Sequence, residues 1–280
     1  MAPKISIITP AYNCAHYIEQ TILSVRNQTY SPIEHIVFDG GSTDRTVEIL
    51  KQYTDTYDLT WHSERDRGQS HAYNKGILAS TGEWLYFLNS DDVLLDEESI
   101  KRVVAWIRDH PGYMIYMGKT REIDINGNVS SRPSISFQYA IYTQNILLNK
   151  QATVIHQGTF YNRTVFERAG LYSEDFHTHM DYEFHLRVSR YFDIATMDIN
   201  VAYFRNHPGA KSQQNNSERF AELYRARRAN GGKLWHRHNL YFLKRYLETN
   251  HRTRSVYQFF LRIKMVRYIS KVLGWKGLGF

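Results

Sequence analysis

The first hundred residues alternate between short apolar segments typical of strands and segments with helical spacing of apolar residues. Ile5–Thr9 is a β-branched run, and Tyr17–Gln28 carries apolar residues three or four positions apart. The same alternation predicts strands at Glu34–Phe38, Leu59–Ser63 and Glu83–Leu88, and helices at 47–53, Gln69–Ser80 and Glu97–Arg108. Strands and helices that alternate in this way predict βαβ units and an α/β fold around a parallel sheet.

Polar clusters follow each predicted strand of this region. They lie at Thr9–Asn13, Asp39–Asp44, Glu64–Arg67 and Asn89–Asp92. The carboxyl ends of parallel strands share one edge of a sheet, where ligands of such folds bind. We therefore expect these clusters to converge on one crevice.

Several classes of protein are excluded by absent motifs. Neither GxGxxG nor GxxxxGK[ST] occurs, which argues against a dinucleotide-binding dehydrogenase and a P-loop enzyme. Cys14 is the single cysteine, so neither an intrachain disulfide nor a cysteine zinc cluster can form. The first residues show no signal-peptide pattern and no window has the apolar length of a membrane span. A cytoplasmic protein is expected.

Three acidic sites are candidates for chemistry, each with a structural alternative. Asp91 and Asp92 together suit a divalent cation, or else begin a helix. Asp39 could accept a hydrogen bond from a base or ribose, or belong to a turn. Asp181 and Glu183 could supply a general base or stabilise a helix dipole, and their spacing puts them on different helix faces.

The second half of the chain has a less regular pattern. The pattern of residues 113–132 predicts strand and turn, with a hairpin at Asp124–Gly127. The pattern of residues 134–155 is ambiguous between helix, strand and loop. Helices are expected at Thr164–Ala169 and Asp181–Tyr191, followed by a strand pair over Ile194–Phe204.

Charge divides the chain into an acidic body and a basic end. Residues 201–280 hold 17 Lys and Arg against 3 Asp and Glu, whereas residues 1–200 hold 18 against 25. Within the basic end, the segment 254–276 predicts a helix with a narrow basic stripe and an otherwise apolar surface. Such a helix fits the interface of an anionic membrane, or packing against the catalytic domain.

Taken in order, the motifs of residues 4–205 resemble those of the family 2 glycosyltransferases, which have a GT-A fold. The motifs are ISIITPAYN at Ile5–Asn13, FDGGSTD at Phe38–Asp44, SERDRGQS at Ser63–Ser70 with AYNKG at Ala72–Gly76, the DXD-like GEWLYFLNSDD at Gly82–Asp92, the segment Gln157–Gly170, and MDYEFHLR at Met180–Arg187. Within this family, the motifs resemble those of bacterial O-antigen and capsular polysaccharide glycosyltransferases. The resemblance implies a Rossmann-like, mostly parallel sheet flanked by helices.

The resemblance also implies an organisation and a reaction. A catalytic domain at 1–205 would comprise a nucleotide half (about 1–112) and an acceptor half (about 113–205), followed by a basic helical region at 206–280. The enzyme would be inverting and metal-dependent, and would move a hexosyl or N-acetylhexosaminyl group from a nucleotide diphospho-sugar, UDP being favoured. A saccharide or lipid-linked saccharide would receive the sugar in surface polysaccharide biosynthesis. The protein would lie at the inner face of the cytoplasmic membrane.

Individual roles are carried over from the matching motifs. Asp181 is the expected base, and Asp92 the expected ligand of Mn²⁺ or Mg²⁺, with His207 a second metal candidate. Glu183, His156 and Gln157 are expected on the acceptor side. The expected nucleotide-sugar contacts are Pro10, Ala11, Tyr12, Asn13, Glu19, Asp39, Gly41, Ser42, Arg67, Asn74 and Asp91.

Three other functions are consistent with parts of the sequence. A sugar-1-phosphate nucleotidyltransferase uses a related sheet but would normally carry a glycine-rich loop after the first strand, where this chain has Pro10–Asn13. A nucleic-acid-binding protein would explain the basic end but not the acids at the strand ends, so no nucleic-acid partner is expected. A sugar-nucleotide-binding protein without catalysis remains an alternative.

Overall fold

The nucleotide half builds the parallel part of the sheet, as the alternation of its sequence predicts. The computed structural model describes residues 2–131, 137, 139–150, 154–209, 217–233 and 236–250. The strands are β1 (Ile5–Ala11), β2 (Ile33–Asp39), β3 (Leu59–Ser63), β4 (Trp84–Phe87), β5 (Val93–Leu94), β6 (Ile115–Ile123), β7 (Ile141–Tyr142), β8 (Thr159–Asn162) and β9 (Ile194–Arg205). The helices are α1 (Ile18–Arg26), α2 (Thr46–Tyr53), α3 (Gln69–Ala79), α4 (Ser99–Asp109), α5 (Gln144–Asn149), α6 (Thr164–Ala169), α7 (Met180–Val188), α8 (Ser217–Ala229) and α9 (Arg237–Thr249), with a 3₁₀ turn at His156–Gly158.

One mixed sheet joins the two halves. Its described strands run in the order β3-β2-β1-β4-β8-β6-β9-β5, and β7 pairs with β9. The pairs among β1 to β4 are parallel, whereas β8 is antiparallel to both β4 and β6. The expected α/β architecture is therefore confirmed, with an antiparallel strand at the junction of the two halves.

Burial explains why these segments form strands and where the core lies. The side chains of β1 and β4 are almost wholly buried, because helices cover both faces of a parallel sheet. On one face, Ile5 and Ile7 pack with Trp84 and Tyr86 and with Val103 of α4. This packing fixes the position of the carboxyl ends of the strands, where the polar clusters lie.

The acceptor half differs from its predicted pattern in two places. The strand pair expected over Ile194–Phe204 is the single strand β9, which bends at bulges beside β6. Helix α7 ends at Val188 instead of Tyr191. The turn at Asp124–Gly127 is present, and Ile123 and Val129 form an antiparallel bridge across it.

The chain divides into two compact units, residues 1–213 and 214–280. The first contains the whole sheet, and among the described residues the second contains α8 and α9. The division falls beyond the expected boundary at residue 205, so that His207 belongs to the unit with the sheet. The segment 254–276, for which membrane contact is predicted, lies outside the described residues. Among the helices that are described, none combines the length and apolar character that crossing a bilayer requires.

Candidate active site

The loops after β1 and β2 are tied together by side chains of both. The Asn13 backbone N–H donates to Ser42 Oγ at 2.7 Å, and the Thr43 N–H donates to Asn13 Oδ1 at 2.8 Å. Asn13 has a φ of +46°, a left-handed conformation that asparagine tolerates better than most residues. The predicted nucleotide turn, Pro10–Asn13, is thus held in one conformation against the loop that contains Ser42.

Asp39 organises the loop after β2 from within. Its side chain is 0 % exposed. Oδ2 accepts hydrogen bonds from Gly41 N at 3.1 Å, Ser42 N at 3.0 Å and Ser63 Oγ at 2.6 Å, and Oδ1 accepts from Ser42 Oγ. Both oxygens accept hydrogen bonds within the protein, so Asp39 fixes Gly41 and Ser42 in this structure. The expected contact between Asp39 and a base stays a prediction.

Asp92 and Asp91 lie at the carboxyl edge beyond β4 and differ in access. Asp92 is 0 % exposed, and its carboxylate accepts from Asn89 Nδ2 at 3.0 Å and from the Arg205 backbone N–H at 2.8 Å. Burial, followed by the neighbouring charge of Asp91, raises the pKa of Asp92 well above its usual range. In this conformation the Asp92 carboxylate is enclosed by its hydrogen-bond partners, and its expected role as a metal ligand stays a prediction.

Asp91 lies next to His207, the second candidate metal ligand. Its Oδ2 lies 3.0 Å from His207 Nε2, and the two side chains are 27 % and 15 % exposed. Arg205 secures the peptide between the two acids, since its Nε donates to the Asp91 carbonyl at 2.9 Å and its Nη2 to Gln20 Oε1 at 2.7 Å. Asp91 and His207 therefore converge at a partly open position.

Asp181 lies in the first turn of α7, above a floor of buried rings. The Tyr182 N–H donates to Asp181 Oδ1 at 2.8 Å, and among the described residues Oδ2 has no partner. Below it, His156 Nε2 lies 3.0 Å from the Tyr172 hydroxyl, and Tyr161 OH lies 2.6 Å from His185 Nε2. Burial lowers the pKa of His156, while the charge of Asp181 acts in the opposite direction. Asp181, the expected base, therefore has one oxygen without a hydrogen-bond partner among the described residues. It lies near buried rings, among them His156, whose neutral form burial favours.

Tyr73 of α3 connects the acids of the two halves. It is fully buried, and its hydroxyl donates to Asn89 Oδ1 at 2.6 Å. Burial raises its pKa well above the usual range, and the charges of Asp92, Asp181 and Asp91 raise it further. Acids of both halves therefore influence the pKa of one buried phenol.

Three expected nucleotide contacts have partners within the protein. Asn74 brackets Tyr172, donating to its carbonyl and accepting from its N–H, both at 2.9 Å. Arg67 forms a two-pronged ion pair with Glu174, at 2.8 and 3.1 Å. Glu19 of α1 accepts from the Tyr53 hydroxyl of α2 at 2.7 Å. Asn74 is buried as a structural clamp, which leaves no free amide for a ligand.

On the acceptor side, Glu183 is also used structurally. It is buried and accepts from Arg187 Nε at 2.9 Å and Nη2 at 3.0 Å, one helical turn further on. The expected acceptor contact of Glu183 stays a prediction. His156 belongs to the buried floor, and the Gln157 carbonyl accepts from Tyr86 OH at 2.6 Å. Among the expected acceptor residues, only the partly exposed side chain of Gln157 is placed to meet a ligand.

Sequence reasoning missed two residues that shape the site. Arg205 is fully buried at the end of β9, where strand periodicity gives no reason to single out an arginine. Asp66 lies in the loop after β3, within the cluster Glu64–Arg67, of which Arg67 alone is an expected nucleotide contact. Asp66 packs against Gly40, which has no side chain that would occupy this space.

Comparison with known proteins accounts for the sequence and the fold together. The profile of glycosyl transferase family 2 matches residues 6–170. The chain belongs to this family. It is therefore a nucleotide-sugar-dependent glycosyltransferase of the inverting class. A PGL/p-HBAD biosynthesis glycosyltransferase of Mycobacterium bovis is 31 % identical over 210 residues, which cover 71 % of this chain and 77 % of that protein.

Solved structures show the same GT-A fold at low identity. TarS 1–349 of S. aureus in complex with UDP-GlcNAc has a TM-score of 0.68 and 22 % identity, covering 95 % of this glycosyltransferase and 77 % of TarS 1–349. The mannosyltransferase PcManGT of Pyrobaculum calidifontis, in complex with GDP-Man and Mn²⁺, has a TM-score of 0.64 and 18 % identity, with coverage of 98 % and 79 %. The fold expected from the sequence motifs is confirmed.

Proposed function

We propose that this glycosyltransferase transfers a hexosyl or N-acetylhexosaminyl group from a UDP-sugar to a hydroxyl of a saccharide or lipid-linked saccharide in surface polysaccharide biosynthesis. The observation that carries the catalytic part is that α3 contacts both sites. Tyr73 OH donates to Asn89 Oδ1 at 2.6 Å, two residues before Asp91, and Ser70 Oγ donates to Met180 Sδ at 2.9 Å, next to Asp181. A direct displacement needs the donor site and the acceptor base to lie close together. The binding of UDP-GlcNAc by TarS supports the choice of a UDP-sugar.

Asp91 and His207 would hold the divalent cation. One carboxylate and one imidazole converge at a partly exposed place. Among the described residues no set of three or more His, Cys, Asp or Glu could hold a metal. A pair of protein ligands suits Mg²⁺ or Mn²⁺ that is shared with a diphosphate, because such ions keep several positions for substrate oxygens. The cation would neutralise the charge of the leaving diphosphate, and PcManGT holds Mn²⁺ together with GDP-Man.

Asp181 would take the proton of the acceptor hydroxyl. Its free Oδ2 can accept the proton as the hydroxyl oxygen attacks the anomeric carbon from the face opposite the diphosphate, so that one displacement inverts the configuration. Positive charge develops at the anomeric carbon in the transition state. Asp39 would act as a positioning residue that shapes the nucleotide loop, with Tyr12 exposed beside it.

Calorimetry of UDP with the full chain tests this proposal. We expect binding in the presence of Mn²⁺ that weakens with EDTA and in Asp91→Ala. A screen of UDP-sugars with saccharide acceptors should then show transfer. Binding without transfer for every sugar and acceptor tested would favour a non-catalytic sugar-nucleotide-binding protein, and no binding of UDP, dTDP or GDP would contradict the proposal.

Membrane contact through residues 254–276 stays a prediction. It is supported by the excess of basic residues after residue 200 and by the basic stripe with its apolar surroundings. Sedimentation of the full chain with anionic liposomes at low salt tests it. Association should fall with neutral lipid and with salt, because screening weakens the attraction of basic side chains to the surface. The absence of association at low salt would contradict it.

A further inference from the structure

The loop after β2, residues 39–41, has no carboxylate free to bind a ligand. Asp39 is buried, with four hydrogen-bond donors on its two oxygens. The next two residues, Gly40 and Gly41, have no side chain. A base bound beside this loop therefore cannot be recognised by a side chain of residues 39–41.

A carboxylate from another loop lies above these glycines. A Cβ built on Gly40 would lie 2.7 Å from Asp66 Oδ2 and 3.0 Å from Asp66 Cγ. A Cβ on Gly41, whose φ is +83°, would lie 3.4 Å from the Arg65 backbone nitrogen. Two glycines thus allow the segment 64–66 to pack directly on the loop after β2, and Asp66 covers Gly40.

Two backbone hydrogen bonds hold this arrangement at the nucleotide edge. Glu64 N donates to the Asp39 carbonyl at 3.0 Å, and Gly40 N donates to the Ala11 carbonyl at 2.8 Å. Tyr12, the residue after Ala11, is 62 % exposed and offers a ring on which a base can stack. Asp66 therefore belongs to the same edge as the predicted nucleotide turn.

Asp66 retains one oxygen for a ligand. Its Oδ1 accepts from Gly68 N at 2.9 Å, which orients the side chain. Among the described residues, Oδ2 has no hydrogen-bond partner, and the side chain is half-buried. A single oriented oxygen accepts one N–H well, which matches the lone imide N–H of uracil or thymine. Cytosine has a lone pair at N3 instead of an N–H, so the charged Asp66 oxygen would repel it.

We propose that Asp66 is the residue that recognises the base, by accepting a hydrogen bond from the N3–H of a uracil or thymine nucleotide. This inference rests on the proposed function, since it assigns the base specificity of the same donor site. It moves the specificity-determining carboxylate from the loop after β2 to the loop after β3.

Calorimetric titration of UDP, dTDP, CDP and GDP into the full chain with Mn²⁺ tests the assignment. The wild type should bind UDP or dTDP more tightly than CDP and GDP. Asp66→Ala should weaken that binding by about 10- to 100-fold, the usual effect of one hydrogen bond to a charged group. Asp66→Asn keeps an oxygen for Gly68 N and places an amide where Oδ2 stood. It should therefore reduce the preference for UDP over CDP without loss of folding, which circular dichroism checks.

A second variant reaches Asp66 from the opposite side. Gly40→Ala adds a methyl group in the space of the carboxylate, so it should weaken UDP binding, and the double variant with Asp66→Ala should be no weaker than Asp66→Ala alone. Glu64→Gln, an exposed change in the same loop, is the matched control and should bind UDP as the wild type does.

The outcomes separate the two proposals. Unchanged UDP affinity and an unchanged preference over CDP in both Asp66 variants would overturn the role of Asp66 alone. Tighter binding of GDP or CDP than of either imide nucleotide by the wild type would overturn both the role of Asp66 and the UDP-sugar donor of the proposed function. A wild type that binds no nucleotide, with or without Mn²⁺, would overturn the proposed function and this inference with it.

Discussion

In each half an accessible acid, Asp91 or Asp181, lies close in sequence to a buried carboxylate, and the two halves hold these buried carboxylates differently. In the nucleotide half, Asp39 and Asp92 accept hydrogen bonds from backbone N–H, hydroxyl and amide groups. In the acceptor half, Glu183 is paired with the guanidinium of Arg187. Burial among neutral donors raises the pKa of Asp92 and so favours its neutral form, whereas Glu183 forms an ion pair with Arg187.

This difference fits the ligand that each half would meet. In the nucleotide half Asp91 is the accessible acid, and a cation bound there would offset its charge against that of a diphosphate. The acceptor half cancels the charge of Glu183 and leaves Asp181, two residues earlier, with an oxygen free for a neutral hydroxyl. The following predictions test this division of roles.

The largest effect is expected at the accessible acid of the acceptor half. Asp181→Asn removes the proton acceptor while it preserves shape, so transfer should fall by about 10²- to 10⁴-fold. UDP affinity and the melting temperature should stay close to wild type, because neither half loses a buried partner. Initial rates of transfer and calorimetry measure the two quantities. Normal turnover by this variant would show that Asp181 is not the base.

The next effect compares the two neighbouring acids of the nucleotide half. Asp91→Asn should weaken Mn²⁺-dependent UDP binding by roughly 10²-fold, since a metal ligand contributes several kcal/mol. Asp92→Asn should chiefly lower the melting temperature, because its hydrogen bonds to Asn89 and Arg205 are buried. Metal titrations monitored by UDP binding distinguish them. The opposite result, with the metal effect in Asp92→Asn, would restore the assignment favoured by the family pattern.

Much of the fold could be predicted from the sequence, because its signals are local. The strands and helices of the nucleotide half follow hydrophobic periodicity, and polar clusters mark the strand ends. The bulged β9 could not be distinguished from a strand pair, since its bend depends on pairing with β6. Parallel strands place their carboxyl ends together, so the position of the site followed from the same signals.

In the nucleotide half, local sequence does not indicate which acidic residues are buried, because the partners that enclose them are distant in the chain. Asp39 is closed by Ser63, 24 residues later, and Asp92 by Arg205, 113 residues later. No window of sequence contains these partners. The ion pair of Glu183 with Arg187 spans four residues on one helix, and it could have been found from helical spacing.

The buried acid Glu34 tests whether an ionised carboxylate stabilises the nucleotide half. Burial opposes ionisation, but hydrogen bonds from Lys4, Ser6 and Thr81 outweigh it and lower the pKa of Glu34 from 4.5 to about 2. A lowered pKa contributes stability above the unfolded value, lost as pH falls from about 4.5 towards 2. One pKa unit is about 1.4 kcal/mol, so the contribution is on the order of 3 kcal/mol.

Urea denaturation of Glu34→Gln and wild type at several pH values measures this contribution. The difference in unfolding free energy should be greatest above pH 4.5 and should shrink as the pH falls through about 2, where Glu34 of the wild type takes up a proton. Glu48→Gln, on the exposed face of α2, is the control and should change stability little at any pH. A difference for Glu34→Gln that does not depend on pH would show that shape, and not charge, is what the site stabilises.

The smallest effect is expected at the buried acid of the acceptor half, and it is the counterpart of Asp181→Asn. Glu183→Gln makes the same chemical change two residues away on α7. It should destabilise the fold by about 1.5–3 kcal/mol, because a hydrogen-bonded charge on Arg187 loses its partner. The melting temperature should fall by several degrees, while transfer per folded molecule stays within about twofold, since Arg187 also holds the carbonyls of Ala169 and Leu171. If Glu183→Gln instead abolished transfer at an unchanged melting temperature, the buried acid would be the functional one and the contrast between the two halves would fail.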